Sequence, residues 1–399
     1  MDFSKEVNKC LTLDSELVFT RYLYIKEEVR IALLVSILNK SDDSIFWAYE
    51  LYYSGFKYEL LNLIWKIYYD FFATLNPAYE TYLLKKYKEL LLDANQCQSQ
   101  TISSIIQDLL FRPFNSDVFI QRNICENFMI DIIYYHDSKI ITNMIDFHQN
   151  MIEWIAKNDF RSISQWVLNL NKGIINVVDI YNICLDIFYH HININKNKLA
   201  KDFEKAITLD INKNVILLSK IMTLFSKKAN LKNGKSIYIN VEPEDIIPYE
   251  SMVGSNNQKA YRILETAYMC GIDDFKHLSL FKLTRDKYKL KEEYWYHWEY
   301  YASFSPLWFQ RMQQFKGYLD YMNKKVLFED DPENKLMDEF YSLYGLEPDE
   351  QKIEVQNKST MPIKRVYNWK WFIDQYRKNG LFEVYDEELE EFDVDGVIY

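Results

Sequence analysis

Glycine and proline are scarce in this chain, with 9 Gly and 8 Pro among 399 residues. Glycine stands at roughly 2%, against a usual value of about 7%. Neither GxGxxG nor GxSxG occurs, so dinucleotide-binding and nucleophile-elbow chemistry have no sequence signature here. Cysteine is equally sparse: Cys10, Cys97, Cys125, Cys184 and Cys270 are scattered and never form CxxC. That excludes a zinc ribbon or disulfide framework and suits buried thiols in a reducing compartment. The six histidines include no HExxH, and His190 and His191 are adjacent, so they point to different helix faces and read as helix-end residues. No metal, cofactor or catalytic residue is expected. Long apolar runs are also missing. No stretch reaches 18 apolar residues, and the first twenty residues carry acids throughout without an apolar core and cleavage site. The expectation is a cytoplasmic protein that is neither secreted nor membrane-spanning.

What is abundant is aromatic: 32 Tyr, 25 Phe and 9 Trp make 17% of the chain. An A/T-rich coding sequence explains an excess of Tyr, Phe, Ile, Asn and Lys over Gly and Pro, but not clustered Trp, whose codon is G-rich. Hydrophobic residues make up 48%, enough to bury a large core. The formal charge of −11 opposes polyanion binding by the chain as a whole.

Periodicity is helical from about 15 to 228. Ile31, Leu34, Val35 and Leu38 form one stripe, and Ile45, Tyr49, Tyr52 and Phe56 form the next. From Tyr58 to Leu75 apolar residues surround most of the circumference, which places that helix between neighbours on both sides. Asn76 and Pro77 read as an N-cap and first-turn proline. The fold expected is all-α, irregular stacked helical hairpins in a HEAT-like α-solenoid or bundle, with at most a small β element near 236–241. The blocks are 1–228 helical hairpins, 229–257 an irregular linker with a short strand, and 258–345 an aromatic-rich helical domain running helically to about Val326. A loop and final helix (346–380) and an acidic tail (381–399) complete it.

Three segments carry candidate chemistry. Ala229 to Ser236, ANLKNGKS, satisfies the permissive phosphate-loop pattern. It follows a helix instead of opening one, so it reads as a lysine-rich turn. DVDG at 393–396 lacks the remaining calcium-loop ligands. The third segment is YWYHWEYYASFSPLWF, residues 294 to 309, in which nine of sixteen positions are aromatic. At about 100° per residue, Tyr294, His297, Trp298 and Tyr301 share a face, while Trp295, Tyr296 and Tyr300 fall around the others. Ser305 and Pro306 cap a second helix, so the run straddles a helix-to-helix corner. Trp295, Tyr296, Tyr300 and Trp308 form the candidate interaction surface. Upstream, Lys282, Arg285, Lys287, Lys289 and Lys291 are candidate nucleic-acid contacts, since phosphates need charge and splayed bases need stacking rings.

Two blocks, IFWAYELYYSGF at 45–56 and WYHWEYYASFSPLW at 295–308, resemble a group of uncharacterised α-helical proteins of nucleocytoplasmic large DNA viruses, the mimivirus-like giant viruses. The resemblance extends to the helix around Trp369 and Trp371 and to the acidic end. It implies a viral protein of cytoplasmic factories or virions, and no particular activity. The functional expectation is a non-enzymatic helical scaffold that binds a protein partner; the alternative is an accessory single-stranded nucleic-acid-binding factor in viral replication or transcription.

Overall fold

A computed structural model describes residues 17–91, 98–127, 144–168, 176–250, 289–329, 333–344 and 374–381. Over these the chain is mainly helical, with one two-stranded antiparallel sheet. Helices α1 (Lys26–Leu38), α2 (Asp43–Tyr53) and α3 (Lys57–Ile67) lead to a π-helical turn at Tyr68–Phe72. Next come α4 (Tyr79–Leu91), α5 (Gln98–Phe111), α6 (Asp117–Asn127), α7 (Met144–Lys157) and α8 (Phe160–Leu168). They are followed by α9 (Val177–Tyr189), α10 (Lys196–Ala206), α11 (Lys213–Lys228), α12 (Leu290–Ala302) and α13 (Pro306–Gln314). Strands β1 (Gly317–Asp320) and β2 (Lys325–Phe328) and helix α14 (Lys335–Tyr344) complete the order. No helix among the described residues is long and apolar enough to cross a membrane. The chain forms two compact units, interleaved in sequence. One comprises Met1–Leu60, Cys97–Leu110 and Asn240–Tyr367; the other comprises Leu61–Gln96, Phe111–Ile239 and Asn368–Tyr399.

In the first unit the irregular segment 17–25 is wholly buried. Its backbone polar groups therefore need internal partners. Local bonds satisfy some: Thr20 N–H donates to Tyr24 O at 2.8 Å and Leu23 N–H to Thr20 O at 2.9 Å. Leu23 adopts a left-handed φ of 61° to close this turn, a conformation that costs a β-carbon about 1–2 kcal/mol. Glu50 on α2 supplies the rest of the anchor. Its carboxylate accepts from Arg21 Nε at 3.0 Å and from Tyr22 N–H at 2.9 Å, while Ser54 Oγ accepts from Arg21 N–H at 2.8 Å. The Arg21 guanidinium also stacks on Tyr22 and Tyr53, 4.6 and 4.8 Å from the ring centroids.

The second unit is a bundle around α11. Every residue from Val215 to Ser226 is buried, because α11 packs against α6, α8, α9 and the π-helical turn. Of the stretch from Tyr58 to Leu75 read as apolar round most of its circumference, the part in this unit is buried at Leu61, Ile64, Trp65, Ile67, Tyr68, Phe71, Phe72 and Leu75, whereas Tyr58 at its start is exposed. Four of its buried charges form two pairs. Arg122 grips Asp70 through Nε at 3.2 Å and a terminal nitrogen at 2.7 Å. Lys220 pairs with Glu80, whose other oxygen accepts from Tyr69 OH at 2.9 Å. Cys125 and Cys184 are buried free thiols, and burial pushes the Cys184 thiol up to about 12.

Three local expectations are corrected. Asn76 does not cap α4. Its amide turns inward and donates to Phe72 O at 2.8 Å and Pro113 O at 2.7 Å, because two buried carbonyls compete for it. Residues 236–241 form no strand; the Ile237 carbonyl accepts from Arg112 at 2.8 Å instead of from a partner strand. The sheet lies at 317–328, where continued helix is the expectation. Helix α13 stops at Gln314 and Lys316 turns left-handed with φ 57°. A Cβ at Gly317 would lie 3.0 Å from Met312 O, so glycine permits this close turn.

The segment 374–381 also belongs to the second unit. It is clamped to the start of α6: Leu381 N–H donates to Asp117 Oδ2 at 2.8 Å, Ser116 Oγ to Tyr376 O at 3.4 Å, and Asn379 Nδ2 to Phe114 O at 3.4 Å. Burial pushes the Asp117 carboxyl up to about 7, against the Leu381 N–H and the Arg377 charge, which both pull it down.

Two outcomes are expected. Glu50→Ala leaves the Arg21 charge buried without its carboxylate and costs about 3–5 kcal/mol, read as a lower urea midpoint. A Glu50→Leu/Arg21→Met double substitution recovers most of that loss, and a single-variant loss under about 1 kcal/mol refutes the assignment. Asp117 binds its proton more tightly in the fold than in the unfolded chain, at about 3.9. Its contribution to folding stability is therefore fully present below the unfolded value and is lost as pH rises through about 7. The urea midpoint of the chain falls between about pH 6 and about 8.5 as this contribution is lost. Asp117→Asn flattens that dependence; an unchanged profile refutes it.

Candidate functional site

The aromatic run folds into the corner between α12 and α13. Leu290, Tyr294, Trp298, Tyr301 and Ala302 make the buried face of α12, on the spacing of three and four that amphipathic packing requires. Both tyrosines there use their polar tips. Tyr294 OH donates to Leu23 O at 2.5 Å and Tyr301 OH accepts from Lys324 Nζ at 2.8 Å, while the backbone carbonyl of Tyr301 accepts from Phe19 N–H at 3.3 Å. Tyr294 stacks on Phe19 with centroids 4.4 Å apart.

Ser305 caps α13, accepting from Trp308 N–H at 3.4 Å, with Pro306 in the first turn, as the sequence indicates. Trp308, read from the sequence as part of the surface, is fully buried. This corrects the candidate set. Its indole N–H reaches Thr20 O at 3.1 Å, and its ring sits edge-on to Trp298 at 5.5 Å, so the first unit's core needs it. Phe340 and Tyr344 of α14 complete the cluster around it.

The other rings divide by exposure. Trp295 is 44% and Tyr296 68% exposed. Tyr300 is half-buried, edge-on to Tyr321 of the hairpin loop at 6.3 Å. Burial raises its pKa, partly opposed by Lys324. Helix α12 bends at His297, where φ is −139° and ψ 15°. His297 Nδ1 lies 2.9 Å from Lys324 O. A carbonyl only accepts, so Nδ1 carries the proton.

The hairpin was invisible to the periodicity reading, yet it supplies much of the exposed apolar surface. Its loop is shaped by Asp320, whose carboxylate accepts from the N–H groups of Met322 and Asn323 at 3.1 Å each and from Asn323 Nδ2 at 2.7 Å. These bonds hold the Asp320 pKa down. Lys324 ties the loop to α12, donating to Glu293 at 3.0 Å and Tyr301 OH at 2.8 Å. Tyr318, Tyr321 and Met322 remain exposed, Met322 at 93%. Between α13 and the hairpin lies a cavity of about 280 Å³, whose walls include Phe309, Met312, Tyr318, Leu319, Tyr321 and Val326, with no charged side chain. Two signals in the sequence marked this element: a glycine at 317, and an Asp320 placed to fold its own loop.

The basic run is only partly brought to this surface. Lys289 and Lys291 are exposed at the start of α12. Lys289 sits 3.6 Å from Glu292, and Glu292 and Glu293 occupy the first helical turn, where the dipole favours acids. Lys282, Arg285 and Lys287 lie outside the described residues, as do Trp369, Trp371 and the tail acids from 383 onward. His190 sits at the C-cap of α9, a helix-end position.

Among the described residues no group of three or more His, Cys, Asp or Glu gathers to hold a metal ion. No protein-family model, curated protein or solved structure matches the chain, so its affinities rest on its own geometry.

Proposed function

We propose that the chain is a non-enzymatic helical scaffold that binds a protein partner through the aromatic surface of α12 and the 317–328 hairpin. The observation that carries this reading is the division of one aromatic run. Tyr294, Trp298, Tyr301 and Trp308 are consumed by the core, while Trp295 and Tyr296 stay 44% and 68% exposed. Large rings left in water offer area at low side-chain entropy cost, which is why Trp and Tyr dominate binding hot spots. The charge-free cavity beside Tyr318 and Tyr321 suits an inserted apolar side chain, and the hairpin around it is fixed by Lys324 and Asp320. A preformed pocket flanked by exposed rings is the arrangement of a protein-docking site. The resemblance to large-DNA-virus proteins makes a viral partner complex part of this proposal.

Nucleic-acid contact by Lys289 and Lys291 is the competing reading, because both flank the exposed rings. Glu292 and Glu293 stand among them and repel a phosphate backbone.

The proposal is tested with Trp295→Ala/Tyr296→Ala and, separately, Tyr321→Ser/Met322→Ser in the full chain. All four side chains are exposed, so the helical circular dichroism and melting temperature are expected to stay within error. Each pair is expected to weaken capture of the main protein partner by about tenfold or more. Full retention of that partner by both variants overturns the surface assignment. Salt-sensitive binding of single-stranded DNA that the first pair abolishes decides for the competing reading.

A further inference from the structure

A second concave site lies in the other unit, distinct from the aromatic surface. Its walls are the turn after α11 and the end of α5, with Asn379 at one edge. The space is about 450 Å³, within the range of small-molecule sites. The lining contains Arg112, Lys232 and Lys235 and no carboxylate. In a chain of formal charge −11, three cations without an acid is a local departure. Neither lysine has an ion-pair or hydrogen-bond partner among the described residues.

Arg112 is the fixed element. It is 3% exposed, lies 3.9 Å from the Tyr79 ring centroid and 5.4 Å from that of Tyr238, and donates to Ile237 O at 2.8 Å. A guanidinium held between two rings keeps its position without further ordering cost, and burial strengthens its field. The turn is fixed as well. Gly234 N–H donates to Leu75 O at 2.9 Å, and a Cβ at Gly234 would fall 2.0 Å from Asn76 Oδ1, so only glycine packs there. The remaining lining is apolar, including Leu75, Pro113 and Leu231. Phe111 and Ile237 also line it and are 71% and 50% exposed.

A pocket lined by cations and by exposed apolar side chains suits a ligand that carries both an anionic group and a flat apolar part. We propose that this pocket binds a nucleoside phosphate, with the phosphates at Lys232, Lys235 and Arg112 and the base over Phe111 and Ile237. The turn is the same ANLKNGKS segment whose pattern suggested a phosphate loop. It leaves the C-terminus of α11 instead of entering a helix N-terminus, and Lys227 and Lys228 offset that negative helix end. The site is accordingly one for binding, with no hydrolytic step.

The test is isothermal titration of the full chain at about 0.1 M salt with ADP, adenosine and pyrophosphate. ADP is expected to bind with a submillimolar Kd, and adenosine and pyrophosphate each at least about tenfold more weakly. Lys232→Gln/Lys235→Gln is expected to weaken ADP about tenfold or more, with Lys201→Gln as an unaffected control. Phe111→Ala, at an exposed position that does not threaten folding, weakens ADP and leaves pyrophosphate unchanged. No ADP binding at about 5 mM overturns the proposal. So does equal affinity for pyrophosphate and ADP, or ADP binding unaffected by the lysine pair.

Discussion

The first unit is organised by the need to satisfy a buried, non-helical backbone. Residues 17–25 run through the core without belonging to a helix, so their carbonyls and amides cannot pair in a regular ladder. Aromatic side chains from far along the chain solve this: Trp308 donates to Thr20 and Tyr294 to Leu23. Each ring contributes apolar area with its body and a hydrogen bond with its tip, which an aliphatic residue of similar size cannot do. Glu50 does the same work electrostatically for Arg21 and Tyr22. The density of Tyr and Trp in the run is thus partly a structural requirement imposed by a segment some 270 residues earlier.

The same requirement explains why the run has two faces. A helix presents only part of its circumference to one neighbour. Once Tyr294, Trp298 and Tyr301 are committed inward, Trp295 and Tyr296 must lie elsewhere. Their exposure follows from geometry and is what makes them available to a partner. In the second unit a comparable logic governs charge. Asp70, Glu80, Arg122 and Lys220 are neutralised in pairs within the bundle, whereas the cations of the α11 turn face an open pocket.

Much of the helical architecture was legible because hydrophobic periodicity is local. The stripes of α1 and α2, the all-round apolar helix before residue 76, and the Ser305-Pro306 cap could be read directly. Trp308 could not be sorted, because a residue in the first turn of a helix shows no periodicity of its own. Asn76 was misread since its local context matches a cap, while its actual partner, Pro113 O, is 37 residues away. The hairpin escaped because its loop is built by one side chain, Asp320, and its strands are only four residues each. The cationic pocket is wholly non-local, joining residues 75, 111–113, 231–237 and 379.

The interleaving of the two units has a consequence for synthesis. The contact from Tyr294 to Leu23 spans 271 positions, and that from Ser116 to Tyr376 spans 260. Neither unit can close while the ribosome is still making its last stretch, so Thr20 O and Leu23 O in the buried 17–25 backbone, and the start of α6, must wait for side chains and backbone not yet translated. Chains emerging at about 5–20 residues per second leave that interval open for tens of seconds. During it the early helices can pack only on elements already made, as α1 does on α2, while the π-helical turn at Tyr68–Phe72 waits for α11.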